Sequence, residues 1–355
     1  MVGETNHIVV PEGMSQREIA ARAGVSVATA SRAINGSPLV SQVTTRRVKE
    51  AIRLLAVEGY GATLGVKGRR IALTNSHLVQ TPVTPHTMLQ EILGGVESTA
   101  LGLGCSVYTL HQSGFLLGNQ RDEILNGIDG LLLVGGVVSP EVIEAVSNRN
   151  IPTVLVGGHV PDSSIPSVAG DVGRGTYLMV RHFAELGHKR IAFVNGPSET
   201  YTSVERRSGY LSGMFDSGLP VDADLIRWED GIDGFQAGAG ERCTKQLLGL
   251  ESRPTAILYA ADTSALGGLR AIREADLSVP GDISIAGFDD TQLASASTPQ
   301  LSSVSVDRVE WGAMAFYRLL RLLDGERSFA GDRLLLPVTI KVRESSAKPG
   351  EEHYG

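Results

Sequence analysis

The chain has 355 residues, 42% of them hydrophobic and 20% charged, and a net charge of −7. That length buries a full core and divides into two or three domains. No apolar run approaches the ~20 residues of a membrane span, and the opening MVGETNHIVV lacks the basic start and apolar core of a signal peptide, so a cytoplasmic protein without membrane contact is expected.

Residues 1–13 read as a disordered tail. Between 14 and 70, ten Lys or Arg stand against three acids, a local charge of +7 that leaves the remainder strongly acidic. Such a head suits a polyanion partner or, equally, a solvated charge run. Ser15 with Glu18 three residues on is a capping-box pattern, which predicts a helix burying Ile19, Ala20 and Ala23 and ending at Gly24. Ser26 can cap a second helix, and Asn35-Gly36 can stop it. Two helices across so short a turn make a helix-turn-helix, the alternative being an ordinary helical hairpin. At ~100° per residue, Ala30, Ala33 and Ile34 fall on one side of the second helix and Val27, Ala28, Ser31 and Arg32 on the other. The free side suits a major groove, where Arg takes guanine bidentately and small methyl groups touch thymine. A third helix from Ser41, with Val48, Ile52 and Leu55 at i, i+4 and i+7, completes a three-helix domain over 14–59; Arg46, Arg47, Lys49 and Arg53 give it a basic outer surface.

After a glycine-rich linker at 60–70 the pattern changes. Apolar runs such as IDGLLLVGG, PTVLVGG, RIAFVNG, TAILYAA and DISIAGF alternate with amphipathic stretches such as GTYLMVRHFAELG, which predicts parallel sheets covered on both faces. Their recurrence favours an α/β body of two doubly wound subdomains over a single sheet. Catalysis has no support, because no nucleophile elbow, P-loop or zinc pattern is present. GLGCSV at 102–107 lacks a third glycine and reads as a helix-to-strand turn. His182 and His188 straddle Gly187, which suits a helix end and not a metal face. Cys105 and Cys243 match no metal or redox spacing and read as reduced thiols. No cofactor, metal or catalytic residue is assigned.

The run EIAARAGVSVATASRAINGSPLVSQVTTRRVKEAIRLLAVEGY, followed by HFAELGHKRIAFVNGP, ERRSGYLSGM, TAILYAADTSALGGLRAI, VPGDISIAGFDD and LLLPVTIKVRESS, resembles the LacI/GalR (lactose-repressor/galactose-repressor) family of bacterial transcription regulators from residue 14 to 346. The resemblance implies an all-α headpiece joined to a periplasmic-binding-protein-like effector-binding and dimerisation domain at 71–343. Its N-subdomain would hold 71–156 and 288–306 and its C-subdomain 157–287 and 307–343, with crossings near Val156, Gly287 and Val306 and a tail at 344–355. The family further implies a repressor that binds pseudo-palindromic operator DNA as a homodimer and responds to a small, sugar-like molecule between the lobes. DNA contacts would come from Ser15, Ser26, Val27, Ala28, Thr29, Ser31 and Arg32, with Asn35, Ser41 and a minor-groove wedge at Leu64.

By the same resemblance, the effector would meet Arg206 of an R-x-x-G motif and Asp262, which opens a helix after a strand; Asp171 and Asp289 match further landmarks. The alternatives are a surface salt bridge for Arg206 and a helix N-cap for Asp262, where one residue can serve both ends. The chain also departs from the family pattern. Gly157 stands where an aspartate is common, and Ala261-Asp262 where Asn-Asp is common. The stretch 74–88 is longer and adds His77, His86 and Thr87 at the cleft mouth. Glycines at 59, 61, 65 and 68 weaken a hinge helix in the linker, at about 1 kcal/mol for each glycine within a helix. The tail lacks leucine heptads, so a dimer is expected and not a tetramer coil. The competing reading is a cytoplasmic sugar-sensing protein without a DNA function.

Overall fold

The computed structural model describes residues 14–350 apart from 38, 42, 46, 49–50, 53–54, 56–67, 76–85, 111–125, 137–139, 199, 231–233 and 329. The expected N-terminal tail, most of the linker, Leu64, His77, Arg46, Lys49 and Arg53 lie outside the described residues, as do the side chains of His86 and Thr87.

The headpiece opens with α1 (Gln16–Ala23), whose capping box is complete. The Glu18 N–H donates to Ser15 Oγ at 3.2 Å and the Ser15 N–H to Glu18 Oε2 at 3.0 Å. Gly24, at φ 62°, ends the helix, and α2 (Val27–Ile34) follows. Further helical residues between 43 and 55 bring Val48, Ala51 and Ile52 onto Ile19, Ala20, Ala23, Ala30, Ala33 and Ile34, with Leu55 at the margin. Arg47 departs from the outer basic surface expected of it. Its Nη2 donates to the Ala23 carbonyl at 2.7 Å and the Gly24 carbonyl at 3.2 Å, satisfying acceptors that the end of a helix leaves open.

Two six-stranded sheets form the body. The first lobe holds β1 (Arg70–Asn75), β2 (Ser106–Leu110), β3 (Gly130–Val134), β4 (Thr153–Val156), β5 (Ser167–Gly170) and β11 (Arg333–Leu336), in the order β11-β5-β4-β3-β1-β2 and parallel throughout. The second holds β6 (Ile191–Asn195), β7 (Ile226–Trp228), β8 (Ala256–Tyr259), β9 (Ser284–Asp289), β10 (Ser302–Ser305) and β12 (Thr339–Lys341), in the order β12-β10-β9-β8-β6-β7, with only β12 antiparallel. β3 and β4 are buried along their whole length, as strands covered on both faces must be. One face of the first sheet packs on α3 (His86–Leu103) and α10 (Arg308–Leu323), the other on α4 (Pro140–Ser147). The second sheet lies between α5 (Val172–Leu186) with α6 (Tyr201–Asp216), and α7 (Ala237–Leu248) with α8 (Asp262–Glu274). α9 (Gln292–Ala296) is a short helix of that lobe.

Sheet membership moves the expected crossings. Residues 157–170 belong to the first lobe, because β5 pairs with β4 and β11. Residues 288–305 belong to the second, because β10 runs beside β9 in register, Ser302 opposite Ala286. The chain therefore crosses after Gly170, Ser305 and Leu336, and not near Val156 or Gly287.

Residues 344–350 are also part of the second lobe and not a tail. The Ser345 N–H donates to the Gln300 carbonyl at 3.0 Å, and the Ser345 hydroxyl donates to the Ile285 carbonyl at 2.7 Å. His182 and His188 hold the same segment: His182 Nε2 lies 3.2 Å from Ser346 Oγ, and His188 Nε2 donates to the Ala347 carbonyl at 2.9 Å. His188 Nδ1, 2.9 Å from Thr255 Oγ1, is then the acceptor of a neutral ring. Burial pulls the His188 pKa down to about 4 from 6.5. As pH falls through 6.5 the unfolded chain gains a proton that the folded ring refuses, so this contribution to stability, full above 6.5, is lost on the way to pH 4. The expected loss is roughly 2–4 kcal/mol. Urea unfolding at pH 7 and pH 4.5 should show a drop in the parent that is shallower by about that amount in His188→Gln, and parallel pH profiles would refute it.

Candidate functional sites in the headpiece and the cleft

α2 has two unlike sides. Ala30, Ala33 and Ile34 are buried, while Val27 (47% exposed), Ala28 and Arg32 face outward; Thr29 and Ser31 are half-buried between them. The burial follows from the spacing, since the small residues let α1 and α2 approach closely. Ser26 Oγ accepts the Thr29 N–H at 3.1 Å and pairs with its hydroxyl at 2.8 Å. Ser41 Oγ accepts the Thr44 N–H at 3.2 Å. Ser15, Ser26 and Ser41 thus define helix starts, and such N-termini carry the partial positive charge that phosphates meet. Asn35 is exposed at the end of α2 and its N–H continues the helix to the Ser31 carbonyl at 3.0 Å. The outer face therefore offers methyl groups, a hydroxyl and one guanidinium, a set matched to base edges.

The second site lies at the carboxyl ends of the second-lobe strands, where α/β sheets take ligands. Arg206, in α6, is 7% exposed. Its guanidinium lies 4.6 Å from the Phe288 ring centroid and 5.7 Å from that of Phe235, yet its Nε and Nη1 are buried without a hydrogen-bond partner. Burial lowers its pKa to about 10, opposed by the charge of Asp289. The surface salt bridge weighed for Arg206 is thereby ruled out.

Asp262 is fully buried, and its carboxylate accepts from the Thr291 N–H at 2.7 Å, the Thr291 hydroxyl at 2.9 Å and the Ser303 hydroxyl at 2.6 Å. It does not cap α8, whose N-cap is Ala261; instead it ties α8 to the start of α9 and to β10. Burial, together with the neighbouring Asp289, raises its pKa well above the usual carboxylate range. Asp171 is a helix cap, accepting from the Arg174 N–H at 2.8 Å. Asp289 pairs with Arg308, which also reaches Glu91 at 3.2 Å. Arg308 and Glu91 are first-lobe residues, so the contact between buried Arg308 and half-buried Asp289 bridges the lobes. A second bridge joins Arg333 of β11 to Glu205 of α6 at 3.2 Å and to the Tyr201 hydroxyl. Gly157 has φ +82°, and a Cβ there would lie 3.2 Å from Met88 Cε and 3.6 Å from the Trp311 ring. A side chain at that position would be strained and crowded, which accounts for the missing aspartate.

Phe235, Phe288, Thr291, Ser303 and Arg308 were not singled out from the sequence. The one local sign was the strand end Gly287-Phe288-Asp289-Asp290, an aromatic beside two acids where a buried strand meets a loop.

Comparison with known proteins covers both regions. A family model described as bacterial regulatory proteins, lacI family, matches residues 16–56, and one for a periplasmic binding protein-like domain matches residues 180–346. Catabolite control protein A of Priestia megaterium is 30% identical over 342 residues, covering 93% of this chain and 98% of its own. The HTH-type transcriptional repressor CytR of Escherichia coli K12 is 32% identical over 333 residues, covering 90% and 93%. Among solved structures, the transcriptional regulator CelR in complex with cellobiose superposes with a TM-score of 0.68 at 26% identity, over 94% of this chain and 100% of that one. The lac repressor dimer bound to operator and the anti-inducer ONPF gives 0.66 at 27% identity, over 94% and 99%.

Proposed function

Because the chain belongs to the LacI family of bacterial regulatory proteins, we propose that it represses transcription by reading operator DNA through Val27, Ala28, Ser31 and Arg32, and that a small molecule held at Arg206 sets its affinity. The observation that supports this reading is the division of α2 into a buried Ala30, Ala33, Ile34 side and an exposed side with a single guanidinium. The N-terminal half of a recognition helix is the part that reaches base edges. Two chains pair through their bodies, placing the α2 helices in successive major grooves. Leu101 on α3 (84% exposed) and Tyr108 on the edge strand β2 (48% exposed) are apolar groups suited to that pairing. Such a regulator works on chromosomal DNA in the cytoplasm and performs no catalytic step.

The Asp289–Arg308 and Glu205–Arg333 pairs cross between the lobes, so a ligand that changes lobe closure must rearrange them. A coupling of ~1–3 kcal/mol would change operator affinity by roughly 5- to 150-fold.

The test is selection of a binding site from randomised duplexes, followed by anisotropy titration at several salt concentrations. Sequence-specific binding with a steep salt slope is expected. Arg32→Ala should cost about 1–3 kcal/mol and relax preference at one base pair per half-site. Retention of the parent's full sequence preference by that variant would remove Arg32 from the groove, and absence of any preferred duplex would leave only the ligand-sensing reading.

A further inference from the structure

Among the described residues, the buried side-chain atoms without a hydrogen-bond partner are Arg206 Nε and Nη1, Arg308 Nε, Arg190 Nε and the Thr74 hydroxyl, so all but one are guanidinium donors. At the carboxyl edge of the second sheet, Glu229 accepts from the Phe235 N–H at 2.8 Å and from the Ser264 hydroxyl. Asp230 accepts from the Ser198 N–H at 2.8 Å and its hydroxyl at 2.9 Å. Asp262 is held by Thr291 and Ser303, Asp289 by Arg308, and Asp290 by Arg343. These carboxylates are already engaged. Arg206 is the reverse case, with two buried N–H-bearing nitrogens and no acceptor for either.

From this asymmetry, and resting on the assignment of Arg206 to the effector site, we propose that the effector is a small carboxylate and not a neutral polyol. A sugar hydroxyl needs an acceptor for its proton as well as a donor for its oxygen, whereas an ionised carboxylate only accepts. Guanidinium is the donor-only counterpart, and its planar fork matches a carboxylate. Phe288 and Phe235 lie against the guanidinium. Arg308 answers Glu91 and Asp289 through its two Nη atoms, and its Nε is likewise buried without a partner. The first-lobe wall near Gly157 is lined by Met88 and Trp311, which removes a polar anchor a polyol would use.

Titration calorimetry on the full-length protein with matched pairs tests this: D-glucose and D-glucuronate, D-galactose and D-galacturonate, 4-hydroxybenzyl alcohol and 4-hydroxybenzoate, with glucose 6-phosphate as a dianionic control. At least one acid should bind roughly 30-fold or more tightly than its neutral twin. That advantage should vanish in Arg206→Gln and persist in reduced form in Arg206→Lys. The sugar and aromatic pairs identify the body that carries the carboxylate. Thermal melts accompany the titrations: removing an unpaired buried charge should leave the melting temperature of Arg206→Gln equal or higher, so lost binding is not lost folding. A neutral twin, or only the phosphate, binding in an Arg206-dependent way overturns the carboxylate assignment while leaving the cleft in place. Acid binding indifferent to Arg206→Gln overturns the cleft assignment itself, and no binding by any acid overturns the proposal.

Discussion

Ile19→Ala is expected to abolish operator binding while leaving the two-lobed body folded. Ile19 is 0% exposed and is the largest fully buried side chain of the headpiece, whose other core residues are mostly alanines: Ala20, Ala23, Ala30, Ala33 and Ala51. Small residues allow close helix contact but leave little to fill a void, so truncation should cost about 2–5 kcal/mol. A domain of this size has a total stability on the order of 2–7 kcal/mol, and the loss is comparable to all of it. Both tryptophans, Trp228 and Trp311, lie in the body, so tryptophan fluorescence reports only on that part. The expected result is an unchanged fluorescence melt beside a fall in operator affinity of roughly 30-fold or more. Near-normal operator binding by the variant would mean that the three helices do not depend on this core.

The headpiece was legible because its determinants are local. Ser15 and Glu18, Ser26 with Thr29, and Gly24 act within a few residues of one another, and the spacing of Ala30, Ala33 and Ile34 alone places them inside. The sheets were legible as a class for the same reason, since GLLLV and TVLV announce buried parallel strands. Lobe boundaries were not, because they depend on pairings such as β4 with β5 and β9 with β10, and no property of residues 157–170 or 288–305 reveals which sheet receives them. Arg206 could be located from its motif, but its unpaired nitrogens follow from where Asp289 found another partner. Asp262, expected at the effector with a helix cap as the alternative, has its carboxylate taken by Thr291 and Ser303, far along the chain. Residues 344–350 looked like a tail because polar sequence carries no sign that Ile285 and Gln300 need hydrogen-bond partners.

The motif that locates Arg206 also contains Gly209, and Gly209→Ala should damage both stability and ligand response. One helical turn separates the two residues on α6, so they share a face. A Cβ at 209 would lie 2.0 Å from the carbonyl oxygen of Gly173 in α5. That oxygen is backbone and cannot rotate away, so the helices must separate by more than an ångström or deform. Alanine is otherwise the better helix former by about 1 kcal/mol, yet overpacking of this kind typically costs about 1–3 kcal/mol and here acts against the backbone itself. In a body of this size the net result is a melting temperature lower by a few degrees to about 10 °C. Moving α6 also carries the Arg206 guanidinium off Phe288, so effector affinity should fall together with stability. Ser212→Ala, on the exposed side of the same helix, provides the contrast: it gains helix propensity, meets no neighbour, and should melt at or slightly above the parent. If Gly209→Ala melts with Ser212→Ala, the close approach of α5 and α6 does not position Arg206, and the glycine in the motif must answer to something other than packing.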